Sequence, residues 1–217
     1  MGTRITSAEE FQDAFRVSRE TCERLHIYET VLRTWQRKIN LVAPSTLEDV
    51  WHRHFADSAQ VLRFAPPNAK VWCDVGSGGG FPGLVLAILL AEQGDARVTL
   101  IESDTRKAAF LGEVARKTGV PVEIRADRIE KIATQAKSQA IDVITSRALA
   151  PLPRLLGLVE PLFSPRTVAI FLKGREAAAE VREAEREWQF DHRLEPSLTD
   201  AEARIAVIRN LHVRTEG

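Results

Sequence analysis

The run Asp74-Val75-Gly76-Ser77-Gly78-Gly79-Gly80-Phe81-Pro82-Gly83 has the most chemical content in the chain. Five glycines within eight residues weaken a fold unless space is needed. They let the chain turn sharply at the carboxyl edge of a strand and let a ligand approach the backbone with no Cβ in the way. Gly78, Gly80 and Gly83 satisfy G-x-G-x-x-G, a weak pattern shared by NAD, FAD and methyl-donor sites. Asp74 helps to separate these ligands. A dinucleotide sets its pyrophosphate on the following helix N-terminus, where an acidic residue just before the turn opposes it. S-adenosylmethionine brings a cationic sulfonium and amino group and no phosphate, so it suits Asp74 better. Glu102, at the end of the next strand, can accept hydrogen bonds from ribose hydroxyls and fits either cofactor.

These residues need elements to hold them. Val71–Val75 is short, apolar and β-branched at its ends, and Pro82 stands where a helix can begin. Beyond it the pattern predicts a helix over Leu84–Gln93, a strand over Arg97–Glu102, a helix over Thr105–Thr118 and strands over Val122–Ala126 and Ile141–Ser146. A helix over Pro151–Val159, a strand over Thr167–Leu172 and a charged helix over Glu176–Trp188 follow. Two last strands, near Asp191–Leu194 and Arg204–Arg209, have no helix between them. This alternation predicts an α/β fold: a doubly wound, mostly parallel sheet with an antiparallel C-terminal strand pair.

Residues 1–67 read differently, as an N-terminal helical lobe ahead of a ligand-binding domain at 68–217. Ser7-Ala8-Glu9-Glu10 has capping-box spacing and opens a helical pattern running to about Asn40. Ser45-Thr46-Leu47-Glu48 repeats the box and predicts a second helix carrying Trp51, His54 and Phe55, which Pro66-Pro67-Asn68 stops. His52 and His54 are expected to pack this lobe or cap neighbouring backbone.

Thirty Lys+Arg balance thirty Asp+Glu, so any nucleic-acid contact must come from a local patch. Cys22 and Cys73 form neither a zinc set nor a disulfide framework, which suits a reducing cytosol and implies no metal. Glu9 and Glu10 interrupt the start before an apolar run can build, and the longest such run, Leu84 to Ala91, is too short to span a bilayer. A soluble, cytoplasmic protein without a signal peptide is expected.

Several separated motifs resemble the RsmG (GidB) family, methyltransferases acting on N7 of a guanine in small-subunit (16S) ribosomal RNA. They are Ile39-Asn40-Leu41, Arg53-His54-Phe55-Ala56-Asp57-Ser58, the whole glycine run with its Pro-Gly, Glu102 with Arg106 and Lys107, Ile144-Thr145-Ser146-Arg147-Ala148, and Leu172-Lys173-Gly174. The resemblance runs from about residue 20 to the end. It departs where the family often shows Gly-Arg-Ala-Glu after the third strand, since this chain reads Asp127-Arg128-Ile129-Glu130. The resemblance implies a Rossmann-like class I methyltransferase with S-adenosylmethionine as cofactor. Gly76, Phe81, Ile129, Glu130 and Arg147 would then touch the donor, beside Gly78 and Glu102. Phe81 would pack an aromatic face near it, and the Ile129 N–H would meet an adenine nitrogen. Arg147 would pair with the donor's carboxylate or an RNA phosphate, or else serve as an ion-pair partner of Asp74 or Asp142.

Guanine N7 carries a lone pair and no proton, so displacement at a methyl carbon needs no general base and no catalytic acid–base pair is expected. Cations for the RNA would be Arg128, Arg147, Lys173 and Arg204, at strand ends or flanking loops where a doubly wound sheet opens its crevice. Arg33, Arg37 and Lys38 beside Trp35 form a second possible patch, and Arg53 and Arg175 are further candidates. The resemblance implies small-subunit ribosomal RNA or the small ribosomal subunit as partner; neutral net charge implies weak affinity for free RNA, which suits the folded particle without excluding naked RNA. Two other readings stay open: an NAD-dependent oxidoreductase on the same fold, and a catalytically silent ligand-binding assembly protein.

Overall fold

The computed structural model describes residues 4–135 and 140–214. Met1, Gly2 and Thr3, where the test for a leader begins, lie outside them. A seven-stranded sheet runs through the molecule, formed by β1 (Val71–Val75), β2 (Arg97–Ile101), β3 (Glu123–Arg125), β4 (Val143–Arg147), β5 (Val168–Lys173), β6 (Trp188–Pro196) and β7 (Arg204–Val213). The spatial order is β3-β2-β1-β4-β5-β7-β6. The first five strands are parallel, and β7 joins β5 and β6 antiparallel. β4 is buried at four of its five positions, as expected of a strand covered on both faces. The strand order reverses between β1 and β4, which opens a crevice at their carboxyl ends.

In the lobe, α1 (Ala8–Phe15) and α2 (Arg19–Gln36) replace the single helical run expected up to Asn40. Arg16 takes a left-handed conformation with φ 53° and ends α1, and the Ser18 side chain caps the new start. The first capping box forms on one side only. Ser7 Oγ accepts from the Glu10 amide, but Glu10 Oε2 reaches back to the Thr6 amide instead of that of Ser7. The second box does not form. Pro44–Asp49 is a 3₁₀ turn without a side-chain cap, Trp51–Ala56 winds as a π-helix, and α3 (Asp57–Ala59) runs into a 3₁₀ turn at Gln60–Phe64. Thr46 is drawn off to bond Ala43 O and His54, so the box residues serve tertiary contacts.

The remaining helices are α4 (Gly83–Leu90), α5 (Thr105–Thr118), α6 (Ile129–Gln135), α7 (Leu152–Val159) and α8 (Ala177–Ala184). α8 is shorter than expected because Trp188 already belongs to β6. Every residue of α4 is buried, so this helix is apolar all round and needs cover on its outer side as well. The lobe supplies that cover: Phe11, Tyr28 and Phe55 share one apolar cluster with Leu84, Phe110 and Val143. Among the described residues, no helix is long and apolar enough to cross a membrane.

Candidate active site

The crevice beside the switch point is a cleft of about 1170 Å³, lined by Gly76, Gly78, Phe81, Glu102, Ile129, Glu130 and Arg147 and by the cations Arg53, Arg128, Lys173 and Arg204, whereas Arg33, Arg37, Lys38 and Arg175 lie outside its lining. Its floor is the glycine turn. The Gly76 and Ser77 amides both donate to Ile101 O at 2.9 and 3.0 Å, which ties the turn to the end of β2. Gly76 has φ +68°, and a Cβ there would stand 2.6 Å from Leu149 Cδ1. Gly78 differs, because a Cβ there would meet only Gly76 O at 3.8 Å and so leaves open space over the backbone. Glu102 is almost buried, with Oε2 accepting from the Gly78 amide at 2.8 Å and Oε1 from the Asp104 amide at 2.7 Å. Each oxygen keeps a further lone pair for a hydroxyl.

Asp74 does not line the cleft, although its place ahead of the glycines suggests a partner for a cationic ligand. It is 1% exposed and lies under Gly83, opposite Thr145 on β4, whose hydroxyl donates to Oδ1 at 2.7 Å. Oδ2 has no hydrogen-bond partner, and burial raises the carboxyl pKa to about 6 against the opposing pull of Thr145, Ser77, Gly83 and Arg147. Strand alternation is the reason: the side chain points into the core beneath α4, not towards the strand's carboxyl end.

A second wall comes from Arg147 and the lobe. Tyr28 and His54 both stack on the Phe81 ring, with centroids 5.4 and 4.7 Å away, and the Arg147 guanidinium lies over it at 4.8 Å. At 4% exposure Phe81 gives most of its aromatic surface to these neighbours while still lining the cleft. Arg147 pairs with neither Asp74 nor Asp142. Its Nη1 donates to Asp57 Oδ2 at 3.2 Å and Arg53 O at 3.0 Å, and its Nη2 donates to His54 Nδ1 at 2.8 Å. Asp142 is held instead by Arg166 and the amides at the start of β1. Burial, then the charges of Arg147 and Arg53, push the His54 pKa down to about 3. Packing of the lobe was read correctly for His52, which accepts from the Ile5 amide and meets Thr199 O. His54 does more than that, because it lines the cleft.

On the far side, Ile129 begins α6, so its amide is one of the first-turn donors that a helix cannot satisfy internally. Arg128 and Glu130 flank it, both exposed. The cations separate into two groups. Lys173 is committed, with Nζ at 2.6 Å from Glu180 Oε2 and 2.9 Å from Ala150 O, which makes it a poor phosphate contact. Arg204 donates only to the carbonyls of Ala201 and Ala203, and Arg128 and Arg154 have no carboxylate partner among the described residues. Arg154 and Lys107 also line the cleft; Lys107 belongs to the quoted Glu102 motif without a role assigned, and Arg154 escaped because it sits in an ordinary amphipathic helix. Outside the cleft, Arg33 is tied to Glu29 and Glu48 and Trp35 Nε1 to Glu113, so half of the second possible patch is already occupied.

The chain matches the family rRNA small subunit methyltransferase G over residues 21–210. It is 47% identical to ribosomal RNA small subunit methyltransferase G of Parvibaculum lavamentivorans over 97% of this chain and 92% of that protein. Identity to the protein of the same name from Rhodospirillum centenum is 52%, over 89% and 86%. Among solved structures, an O-methyltransferase from Bacillus cereus superposes with a TM-score of 0.61 at 16% identity, covering 85% of this chain and 91% of the other. A SAM dependent methyltransferase from Aquifex aeolicus gives 0.56 at 16%, over 83% and 97%, and these two likenesses speak to the fold alone. On the extent and identity of the sequence matches, the chain belongs to the rRNA small subunit methyltransferase G family.

Proposed function

We propose that this chain transfers a methyl group from S-adenosylmethionine to N7 of a guanine in small-subunit ribosomal RNA. The observation carrying the reading is the convergence of open backbone at Gly78, the Glu102 carboxylate, the Ile129 amide and Arg147 on one cleft, in a chain of this family. The residues fit the donor: space that a Cβ would fill lies over Gly78, and the carboxylate beside it has lone pairs for ribose hydroxyls. Bound S-adenosylmethionine supplies an electrophilic methyl carbon on a positively charged sulfur. In this reading Gly78 lets it approach the backbone beside the Gly76 turn, Glu102 anchors both loop and ribose, and the Ile129 amide meets the adenine with Glu130 beside it. Arg147 pairs with the carboxylate of the donor.

The remaining task is alignment. Guanine N7 attacks with its own lone pair, so nothing need take a proton. Holding the reacting atoms about 3–3.5 Å apart and in line can supply roughly 7–11 kcal/mol. His54 is no hidden base, because its Nδ1 lone pair is occupied by Arg147. The cleft exceeds the roughly 300–1,000 Å³ of a small-ligand site, which leaves room for a base next to the donor. Arg128, Arg204 and Arg154 supply phosphate contacts at its rim, and Arg147 and Lys173 stand behind them. So thin a rim on a neutral protein favours RNA presented by a folded small subunit in the cytoplasm. The functional division follows the lobe at 1–67 and the donor-binding domain at 68–217, each contributing one wall.

An NAD-dependent oxidoreductase would need a tyrosine or histidine acid. The chain's one tyrosine, Tyr28, is buried, its hydroxyl donating to Gly79 O and its pKa raised by that burial. Titration calorimetry with S-adenosylmethionine and with NADH separates the two readings: binding of the first alone supports transfer, and binding of NADH alone overturns it. Donor binding without label on small-subunit RNA or particles from tritiated donor would leave the silent assembly protein.

A further inference from the structure

The socket that holds Arg147 is made almost wholly by one helical turn of the lobe. Arg53 O, His54 Nδ1 and Asp57 Oδ2 all accept from the same guanidinium. The π-winding of Trp51–Ala56 makes this feasible. In an α-helix the Asp57 amide would bond Arg53 O, four residues back. Here it bonds the carbonyls of His52 and His54 instead, and the passed-over carbonyl of Arg53 receives Nη1 of Arg147 at 3.0 Å. Such widened turns recur at functional sites.

His54 occupies the centre of the socket. An arginine only donates, so Nδ1 is the acceptor and a neutral ring carries its proton on Nε2. That nitrogen lies 2.8 Å from Thr46 Oγ1, whose hydroxyl donates onward to Ala43 O, also at 2.8 Å. Both ring nitrogens are thus used and the ring face is stacked on Phe81. Of the five N–H donors of Arg147, three are held by the socket. The other two, at Nε and Nη2, remain for a ligand in the cleft that the side chain lines.

We propose that His54 is a positioning residue: its Nδ1 lone pair orients the Arg147 guanidinium on Phe81 so that the two remaining N–H groups meet the carboxylate of the methyl donor. This rests on the reading of the cleft as a methyl-donor site. The groups facing His54 are consistent with a neutral ring, since Arg147 and Arg53 are cationic and Asp57 is engaged by Arg147.

The test compares His54→Phe, which keeps a flat ring on Phe81 but has no acceptor, with His54→Asn, whose amide oxygen can stand in for Nδ1. Calorimetry on the full chain should show S-adenosylmethionine binding weakened roughly tenfold in His54→Phe and restored to within about threefold in His54→Asn. With saturating donor, kcat on small-subunit particles should change far less than KM for the donor. Equal donor affinity in wild type and a folded His54→Phe, or equal loss in both variants, overturns the proposal. Nitrogen-15 NMR of the wild-type imidazole supplies a readout independent of turnover. A bare Nδ1, a protonated Nε2 and no titration between pH 5 and 9 are expected, and a charged ring or the opposite tautomer overturns the proposal. Failure of wild type to bind the donor, with the NMR result as expected, would instead overturn the functional reading.

Discussion

The glycine turn after β1 and the π-helical turn of the lobe meet at Phe81, yet they shape the cleft by opposite means. The first works with backbone: Gly78 leaves space, the Gly76 and Ser77 amides anchor on Ile101 O, and the Glu102 carboxylate braces the loop. The second works with side chains and a redirected carbonyl gathered on Arg147. A backbone device needs residue types at fixed positions and leaves a mark in sequence. A side-chain device needs only that distant segments converge, and its mark is scattered.

The sharpest way to break the first wall is Gly83→Ala. Its Cβ would overlap the Asp74 side chain, with Oδ2 at 2.6 Å, and the buried aspartate has nowhere to go. We expect a loss of about 2–3 kcal/mol in urea unfolding, together with loss of donor binding. The second wall is broken by Arg147→Met, which leaves Asp57 and His54 without their partner. Donor dissociation should rise roughly a hundredfold by calorimetry, a larger effect than any change at His54.

How the two walls differ in legibility follows from the same contrast. The mostly parallel sheet with its antiparallel last pair, and the gathering of Gly76, Glu102 and Ile129 at one crevice, were legible because glycine spacing and strand–helix alternation report backbone directly. The inward turn of Asp74 is not announced by charge: an acid just before a glycine turn looks like a neighbour of a cationic ligand, whereas the period of the strand sends it under Gly83. The Ser45–Glu48 box misled because Thr46 bonds His54 instead of leaving the segment free to cap a helix. No local pattern announces a π-turn. Lys173 was read as an RNA contact because Glu180, its partner, lies on α8 and is joined to it only by the fold.

Each wall also buries one titrating group, and their signs oppose. Asp74, raised to about 6 from 3.8, adds stability below pH 4 that is lost as pH rises through 6. His54, lowered to about 3 from 6.5, adds stability above pH 6.5 that is lost as pH falls towards 3. The two nearly cancel between pH 4 and 6 in the wild type. Asp74→Asn should leave stability rising with pH across that window and His54→Asn should leave it falling, each with a slope approaching ~1.4 kcal/mol per pH unit in thermal or urea unfolding. Parallel slopes in the two variants would show that the walls are not electrostatically opposed.

Smaller effects belong to the rim. Arg128→Ala, Arg154→Ala and Arg204→Ala should each raise KM for the RNA substrate about three- to tenfold and lower the salt dependence of binding by about one. Arg33→Ala, whose guanidinium is already held by Glu29 and Glu48, should leave both unchanged. Lys173→Ala should reduce stability rather than RNA affinity, because it leaves the half-buried Glu180 carboxylate with the Leu152 amide but no countercharge.

Nucleoside mass mapping of small-subunit ribosomal RNA, incubated with purified protein and isotopically labelled S-adenosylmethionine, tests the central claim most directly. A single labelled 7-methylguanosine, absent when Arg147→Met replaces the wild type, is the predicted result. A label on any other atom or base, or none despite a bound donor, would contradict it.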